Sequence, residues 1–169
     1  MRFRFSALPF LLGIVLFAGC GHYQLGNEGK LAFTTLYIAP ATSQTLLPQS
    51  RALITTQLRE AFEHDGRITL VNSPDAAEAT LHVMLRDFHR DVASVLENDT
   101  GLARKFTLTL DVACTLESKS GGMLFKDRMV RAQRDSFTDG GQLQSEYQTL
   151  PLMAEALSKK VVHTVLDVW

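Results

Sequence analysis

Proline, glycine, cysteine and net charge are all scarce in this sequence. Five prolines and eleven glycines among 169 residues are too few for a fibrous or a disordered chain. Hydrophobic residues make up 46% and charged residues 21% of the chain, which is the composition of an ordinary globular protein. The length is sufficient for one such domain and short for two.

The small net charge excludes one class of partner. The formal net charge is −1. Arg2 and Arg4 belong to an N-terminal segment that we expect to be removed, which leaves 15 of the 17 basic residues against 18 acidic ones, a net charge of about −3. A chain with this balance has no overall positive field to hold nucleic acid, so we expect no nucleic-acid partner.

The motifs of common catalytic sites are missing as well. The sequence contains no Gly-x-Ser-x-Gly turn, no phosphate-binding P-loop and no His-Glu-x-x-His helix. Its five histidines are scattered, and His82 and His89 are seven residues apart, so on a regular strand they point to opposite faces and cannot share a metal ion. We therefore expect a protein that holds no metal or cofactor and is not an enzyme.

The first nineteen residues differ from the rest of the chain. Two arginines precede an almost wholly apolar segment, residues 7–18, which is long enough for the core of a signal peptide and too short for a membrane anchor. It leads into Phe-Ala-Gly-Cys at residues 17–20, which resembles the lipobox of bacterial lipoproteins, although Phe17 stands where an aliphatic residue is usual. The pattern predicts a signal peptide over residues 1–19 and a lipid on Cys20. The alternative is an ordinary secretory signal with an incidental cysteine.

A lipid on Cys20 determines the anchoring and the cysteine chemistry of the mature chain. Two or three acyl chains anchor a protein stably where one does not. Gly21 stands where an Asp would resemble the inner-membrane retention signal, so we expect the protein at the outer membrane, on its periplasmic side.

Residues 20–32 are glycine-rich and polar and predict a lipidated tether. Cys114 is then the only thiol, so no disulfide can form within the chain and the core must hold the fold.

Residues 33–71 have the pattern of a strand, a helix and a second strand. Residues 33–39 are rich in β-forming side chains and end at a proline. Residues 48–65 carry apolar side chains at helical spacing, namely Leu53, Ile54, Leu58, Ala61 and Phe62. Gly66 follows at the position of a left-handed C-cap. With a short strand over residues 67–71, the pattern predicts a βαβ unit, whose two strands are parallel and joined right-handedly.

A meander of antiparallel strands and a final helix complete the predicted fold. Residues 79–92 begin with alternating apolar and polar side chains. In residues 106–116 six apolar residues, Cys114 among them, alternate without a break, which predicts a strand with one face on a core and one face in water. Residues 118–122 close a hairpin onto a strand over 124–137, which alternates poorly. Residues 145–169 predict a helix with Pro151 in or near its first turn.

These elements predict one α+β domain over residues 33–169. Two helices, each with one apolar stripe, would pack on the apolar face of a mixed sheet of four to five strands. The expected architecture is a two-layer sandwich with the element order β-α-β-β-β-β-α.

Basic residues cluster on the predicted sheet. They lie on or beside its strands, and they are Arg86, Arg90, Arg104, Lys105, Lys126, Arg128, Arg131 and Arg134. Cations at this density could bind phosphate groups, which Arg contacts with two hydrogen bonds. The alternative is a solvated, aggregation-resistant rim, because aspartates such as Asp87, Asp91, Asp111 and Asp127 are interleaved with the cations.

The mature chain resembles the lipopolysaccharide-assembly lipoprotein family LptE. Residues 20–25, Cys-Gly-His-Tyr-Gln-Leu, are similar to the family's Cys-Gly-Tyr-x-Leu start. Residues 36–40 match its first strand, and residues 62–71 match the end of its helix and the strand that follows. Residues 76–81 stand where the family has a strand led by Ala-Asp, with Glu in place of the Asp, and the last helix ends in Trp169.

The resemblance implies a binding role. Members of this family lie in or against the outer-membrane β-barrel LptD as plug and assembly factor, and they contact lipopolysaccharide during its export to the cell surface. The candidate residues for phosphate contact are Arg104, Lys105, Lys126, Arg128 and Arg131. Two other readings stay open, an accessory lipoprotein of another envelope transport or secretion complex and an enzyme whose site one sequence does not reveal.

Overall fold

The computed structural model of the chain describes residues 31–47, 49–96, 99–137 and 142–167. The predicted signal peptide, Cys20 and most of the tether lie outside these residues, so those predictions stay predictions. The described part forms one six-stranded sheet and two helices in an α+β arrangement, which confirms the expected fold class. In chain order, the elements are β1 (Thr35–Ile38), β2 (Thr42–Ser43), α1 (Ser50–Asp65), β3 (Thr69–Val71), a 3₁₀ turn (Pro74–Ala76), β4 (Ala79–Leu96), β5 (Asp99–Ser118), β6 (Met123–Phe137) and α2 (Gln142–Leu166).

The first half of the chain forms the predicted βαβ unit. β1 and β3 are parallel neighbours, with Leu36 opposite Leu70. The residues of α1 that are buried include Ile54, Leu58 and Phe62, which belong to the predicted stripe. The helix ends at Gly66, whose φ of 73° is in the left-handed region that glycine adopts without strain.

The long strands form the other half of the sheet. The strand order is β3-β1-β4-β5-β6, where β4 runs parallel to β1 and antiparallel to β5, and β5 is antiparallel to β6. The sheet has one strand more than the sequence predicts, because the two residues of β2 pair with β4 at Met84 and Leu85. So short a strand has no periodicity of its own, and the sequence pattern therefore does not reveal it.

Both helices contribute to one apolar core with the sheet. The apolar face of β5 lies in it as predicted, with Phe106 partly buried and the other five members of the alternation at most 2% exposed. Cys114 is a buried, unpaired thiol on this face. Burial raises the pKa of this thiol to about 12, so it behaves as a small hydrophobic side chain, as predicted.

A β-bulge in β4 reverses part of the predicted alternation. The register with β5 shifts by one residue between Leu85 and Asp87. Beyond the shift, Phe88 pairs with Leu110 and packs against the core. The sequence pattern puts Phe88 on the opposite face, with His82, and this expectation is wrong because an extra residue changes which side chains point inward.

The outward face of β5 also differs from its prediction. We expected it to be solvated, but Thr109, Asp111 and Ala113 are only 1%, 7% and 3% exposed. β5 lies between two long strands, whose side chains cover it. Gln133, for example, donates from Nε2 to Thr109 Oγ1 at 3.2 Å.

The final helix begins earlier than predicted. α2 starts at Gln142, so Pro151 lies inside the helix and not near its first turn. Proline cannot donate the backbone hydrogen bond to Tyr147, and an interior position usually costs about 3 kcal/mol. The buried side chains of α2, which include Met153, Leu157 and Val161, pack on the sheet and offset this loss. No helix in the described ranges has both the length and the hydropathy needed to cross a membrane.

Candidate functional site

The candidate site is the side of β4, β5 and β6 that faces away from the helices, here called the open face. The odd-numbered residues of β5 from Lys105 to Thr115 point to it, because the intervening even-numbered ones lie in the core. Asp111 lies near the middle of β5 and is only 7% exposed. The open face therefore includes one charged residue, Asp111, that its neighbours almost cover.

Arg131 and Asp111 form an ion pair across β5 and β6. The two residues are directly opposite in the strand register. Arg131 donates from Nε and Nη2 to the two carboxylate oxygens of Asp111 at 2.6 and 2.8 Å. These hydrogen bonds lower the pKa of Asp111 and raise that of Arg131. Arg131 remains 62% exposed, so it covers a nearly buried carboxylate while its own side chain still meets solvent.

Lys105 is also paired with a carboxylate on the open face. Its Nζ lies 2.8 Å from Asp135 Oδ2, and the Thr107 hydroxyl donates to the other oxygen of that carboxylate at 3.0 Å. Both contacts lower the pKa of Asp135. The ammonium of Lys105 lies 5.9 Å from the ring centre of Phe137, which is 54% exposed. Lys105 thus presents a cation beside an exposed aromatic ring.

Arg128 lies on the other side of the sheet. It stands opposite Cys114, which is in the core, and it donates from Nη1 to the carbonyl oxygen of Thr164 in α2 at 3.2 Å. Its guanidinium lies 4.4 Å from the ring centre of Phe125. The structure thus connects Arg128 to the last turns of α2 and separates it from Arg131.

The remaining cations do not gather at one place. Arg90 pairs with Glu146 of α2 at 2.5 Å, while Arg86 reaches Gln44 and Asp127 at 3.3 Å each. Lys126 is exposed, and among the described residues no hydrogen bond or ion pair of its side chain is found. The side chain of Arg104 lies outside the described part of the chain.

The predicted basic cluster therefore does not form one patch. Lys105 and Arg131 share the open face, Arg90 and Arg128 contact α2, and Lys126 is exposed at the edge strand. Sequence reasoning noted the interleaved aspartates but did not identify Asp111 and Asp135 as direct partners. The available signal was register, because residues on antiparallel strands that stand opposite one another are close enough to pair.

No group of three or more His, Cys, Asp or Glu residues in the described ranges is arranged to hold a metal ion. His89 is flanked on the open face by Asp87 at 3.0 Å and Asp91 at 3.6 Å, an arrangement of exposed charges on one strand. The face is suited to contact with another charged surface.

Comparison with known proteins identifies the family. The sequence profile of the lipopolysaccharide-assembly family LptE matches residues 33–165, which span every strand and nearly all of α2. The chain belongs to the LptE family. No curated protein is a match for it.

Solved structures share the fold of this LptE-family chain at low sequence identity. Uncharacterized lipoprotein B from Nitrosomonas europaea is 21% identical, with a TM-score of 0.53 over 84% of this chain and 87% of that one. A Xanthomonas campestris protein has a TM-score of 0.59 at 13% identity, over 83% and 89% of the two chains. PelC from Paraburkholderia phytofirmans, solved as a dodecamer, has a TM-score of 0.53 at 12% identity, over 84% and 94%. At these identities the likeness establishes the fold.

The family match confirms the LptE membership that the resemblance in the sequence suggests. LptE is a family of non-catalytic lipoproteins of lipopolysaccharide assembly, and this chain is one of its members. The α+β sandwich is the framework on which that role is built.

Proposed function

We propose that this LptE-family protein is an outer-membrane lipoprotein, attached through Cys20 on the periplasmic side. It partners an LptD-like β-barrel as plug and assembly factor and binds lipopolysaccharide during export, without catalysis. The observation that carries the proposal is the family match over residues 33–165, which begins thirteen residues after the lipobox cysteine. Anchor and folded domain are thus in the order that the role requires.

The cations of the open face support the proposal that this protein binds lipopolysaccharide. Its cations are held by carboxylates, with Lys105 on Asp135 and Arg131 on Asp111, so an incoming phosphate has to compete with these partners. Arg131 is the more exposed cation, at 62% against 31% for Lys105, but Lys105 is the easier one to exchange, because its partner Asp135 is exposed and can be solvated whereas Asp111 is nearly buried. Lys126 and Arg104 are further candidates, and Arg128 is a separate candidate on the helix side of the sheet, apart from the open face.

A charge-exchange experiment tests the phosphate contact. Lys105→Ala removes the cation, whereas Asp135→Asn removes its competitor and leaves the cation free. If Lys105 binds phosphate, the first variant weakens lipopolysaccharide binding and the second strengthens it. Both effects shrink as the salt concentration rises, because the Debye length falls from about 10 Å at 0.1 M to about 3 Å at 1 M. Equal affinities of wild type and both variants would exclude Lys105 from the contact.

The anchor and the partner are tested separately. Cys20→Ala should abolish labelling by radioactive fatty acid in cells, and equal labelling of the variant would contradict the lipobox assignment. A pull-down of the full-length lipoprotein from detergent-solubilised outer membrane should recover a large β-barrel in stoichiometric amount. Recovery of a different envelope complex without a barrel would favour the alternative, an accessory subunit of another transport or secretion machine.

A further inference from the structure

β6 is the last strand of the sheet, so one of its edges has no neighbouring strand among the described residues. The carbonyl oxygen of Arg131 points to this edge, because Lys160 of α2 donates to it from Nζ at 2.8 Å. Backbone groups alternate in direction along a strand, so those of Gln133 and Asp135 point to the same edge. An edge of this kind offers its backbone hydrogen-bonding groups to another strand.

The side chains that β6 places on the open face form a self-complementary series. In chain order they are Met129, Arg131, Gln133, Asp135 and Phe137. When a second copy of β6 lies antiparallel with Gln133 opposite Gln133, Arg131 of each copy stands opposite Asp135 of the other. The same register places Met129 opposite Phe137, and these two apolar side chains are 57% and 54% exposed. One register therefore matches both the charges and the exposed apolar side chains.

The existing ion pairs leave room for these contacts. Arg131 uses Nε and Nη2 for Asp111, and among the described residues no hydrogen bond of its Nη1 is found. Asp135 is contacted once on each oxygen, by Lys105 and by the Thr107 hydroxyl, whereas a carboxylate accepts about four hydrogen bonds. Both side chains can thus bind a second partner without losing the first.

We propose that two copies of this chain associate through their β6 strands, with the two-fold axis at Gln133, so that their sheets become continuous. Such an interface uses the same surface on both copies. Moving one strand by two residues would put Arg131 opposite Gln133 and Met129 opposite Asp135, which loses both matches, so the side chains specify the register. The inference goes beyond the proposed function and does not depend on it, because it concerns the assembly of the chain with itself.

Two features of the edge oppose the pairing. The ammonium of Lys160 holds the carbonyl oxygen of Arg131, which the second copy needs, although Lys160 is exposed and can turn to water. On the helix side, Arg134 of the two copies become diagonal neighbours, and Glu155 of α2 attracts each of them. Lys160 is therefore a competitor of the pairing, and its removal favours the dimer.

Cysteine crosslinking of the full-length protein, purified in detergent, tests the proposal. Unaltered protein, which has Cys20 and the buried Cys114, sets the background. Gln133→Cys should crosslink to itself under mild oxidation, because the Cα atoms of opposite residues in paired strands are about 5.5 Å apart. Met129→Cys is the matched control on the same face of the same strand. Its two copies would lie about 27 Å apart, so it should stay at background.

A mixture of two variants checks the register. Met129→Cys and Phe137→Cys, each silent alone, should crosslink to one another when the two proteins are combined, because the register places these positions opposite each other. Differently tagged proteins identify the mixed dimer on a non-reducing gel.

Two further substitutions in the Gln133→Cys protein test the chemistry of the edge. Asp135→Lys replaces two identical attractions with repulsions and should lower the initial rate of crosslinking about tenfold. Lys160→Ala frees the carbonyl oxygen of Arg131 and should raise that rate. Lys119→Ala is its control and should leave the rate unchanged, because Lys119 is also exposed and donates to a backbone carbonyl, that of Asp75, at 2.9 Å.

The outcomes decide the inference apart from the proposed function. No crosslink at position 133, equal rates at positions 133 and 129, or a rate that Lys160→Ala does not raise would each overturn the β6 pairing. Lipopolysaccharide binding is measured separately on the unaltered protein, so a failure of either result leaves the other in place.

Discussion

Removal of Arg131 tests whether the open face is held by its ion pairs. Asp111 keeps a side chain that is 10% exposed, and in the Arg131→Ala variant its carboxylate loses both of its charge-assisted hydrogen bonds. Breaking a fully buried pair costs about 3–5 kcal/mol, whereas an exposed pair contributes about 0.2–1 kcal/mol. Because Arg131 is 62% exposed, water can enter beside Asp111 once the guanidinium is gone, so we expect a loss between these two limits.

The pH dependence of this loss follows from the pKa of Asp111. Arg131 holds that pKa below its ordinary value of 3.8, so in the wild type the carboxylate binds its proton less readily when folded than when unfolded. The stability from the pair is therefore fully present above the unfolded pKa and is lost as the pH falls through the folded one. The difference between wild type and Arg131→Ala should be constant from pH 7 to pH 5 and should shrink below pH 3.8.

Urea unfolding followed by circular dichroism measures this difference between the free energies of unfolding at each pH. Asp111→Asn in the Arg131→Ala background is the control, because it removes the unpaired charge and should recover part of the loss. Equal stability of the wild type and Arg131→Ala at pH 7 would refute the reasoning, and so would a loss that does not change down to pH 3.

Three further substitutions or reactions probe the core and the turns. Leu116→Ala should cost about 2–5 kcal/mol, since Leu116 is fully buried, while Glu117→Ala should change stability by less than about 0.5 kcal/mol; similar losses from both in urea unfolding would contradict the assigned face. Cys114 should not react with a thiol reagent at pH 8 in the folded protein and should react once urea exposes it, because burial raises its pKa to about 12; rapid labelling of the native state would show an accessible thiol. Gly66→Ala should cost about 1 kcal/mol through its positive φ of 73° alone, because no atom lies within 4 Å of the added methyl group, and an unchanged denaturation midpoint would exclude that strain.

Elements with a long, regular pattern were predictable from the sequence. The alternation of six apolar residues in β5 identified the face of this strand that lies in the core, since successive side chains of a strand point in opposite directions. The apolar stripe and the glycine C-cap of α1 identified a helix and its end. The short β-forming segments before and after this helix predicted two parallel strands. The same patterns, with the lipobox and the Cys-Gly-His-Tyr-Gln-Leu start, were sufficient to suggest the family.

The candidate site was only partly predictable. The sequence located a basic cluster with interleaved aspartates. Alternation alone puts Arg128 and Arg131, three residues apart, on opposite faces, but which of the two faces meets the helices depends on tertiary packing. A positive φ of 49° at Asp127 and a register shift at this point interrupt the alternation of β6.

The sequence by itself identified two amphipathic helices and strands with one apolar face, and it predicts a lipid anchor at Cys20, because these properties depend on neighbours a few positions away. Tertiary structure alone decided the rest. One extra residue in β4 turned Phe88 into the core, and strand register brought Arg131 to Asp111. Each of these depends on contacts between residues distant in the chain, and no local pattern contains that information.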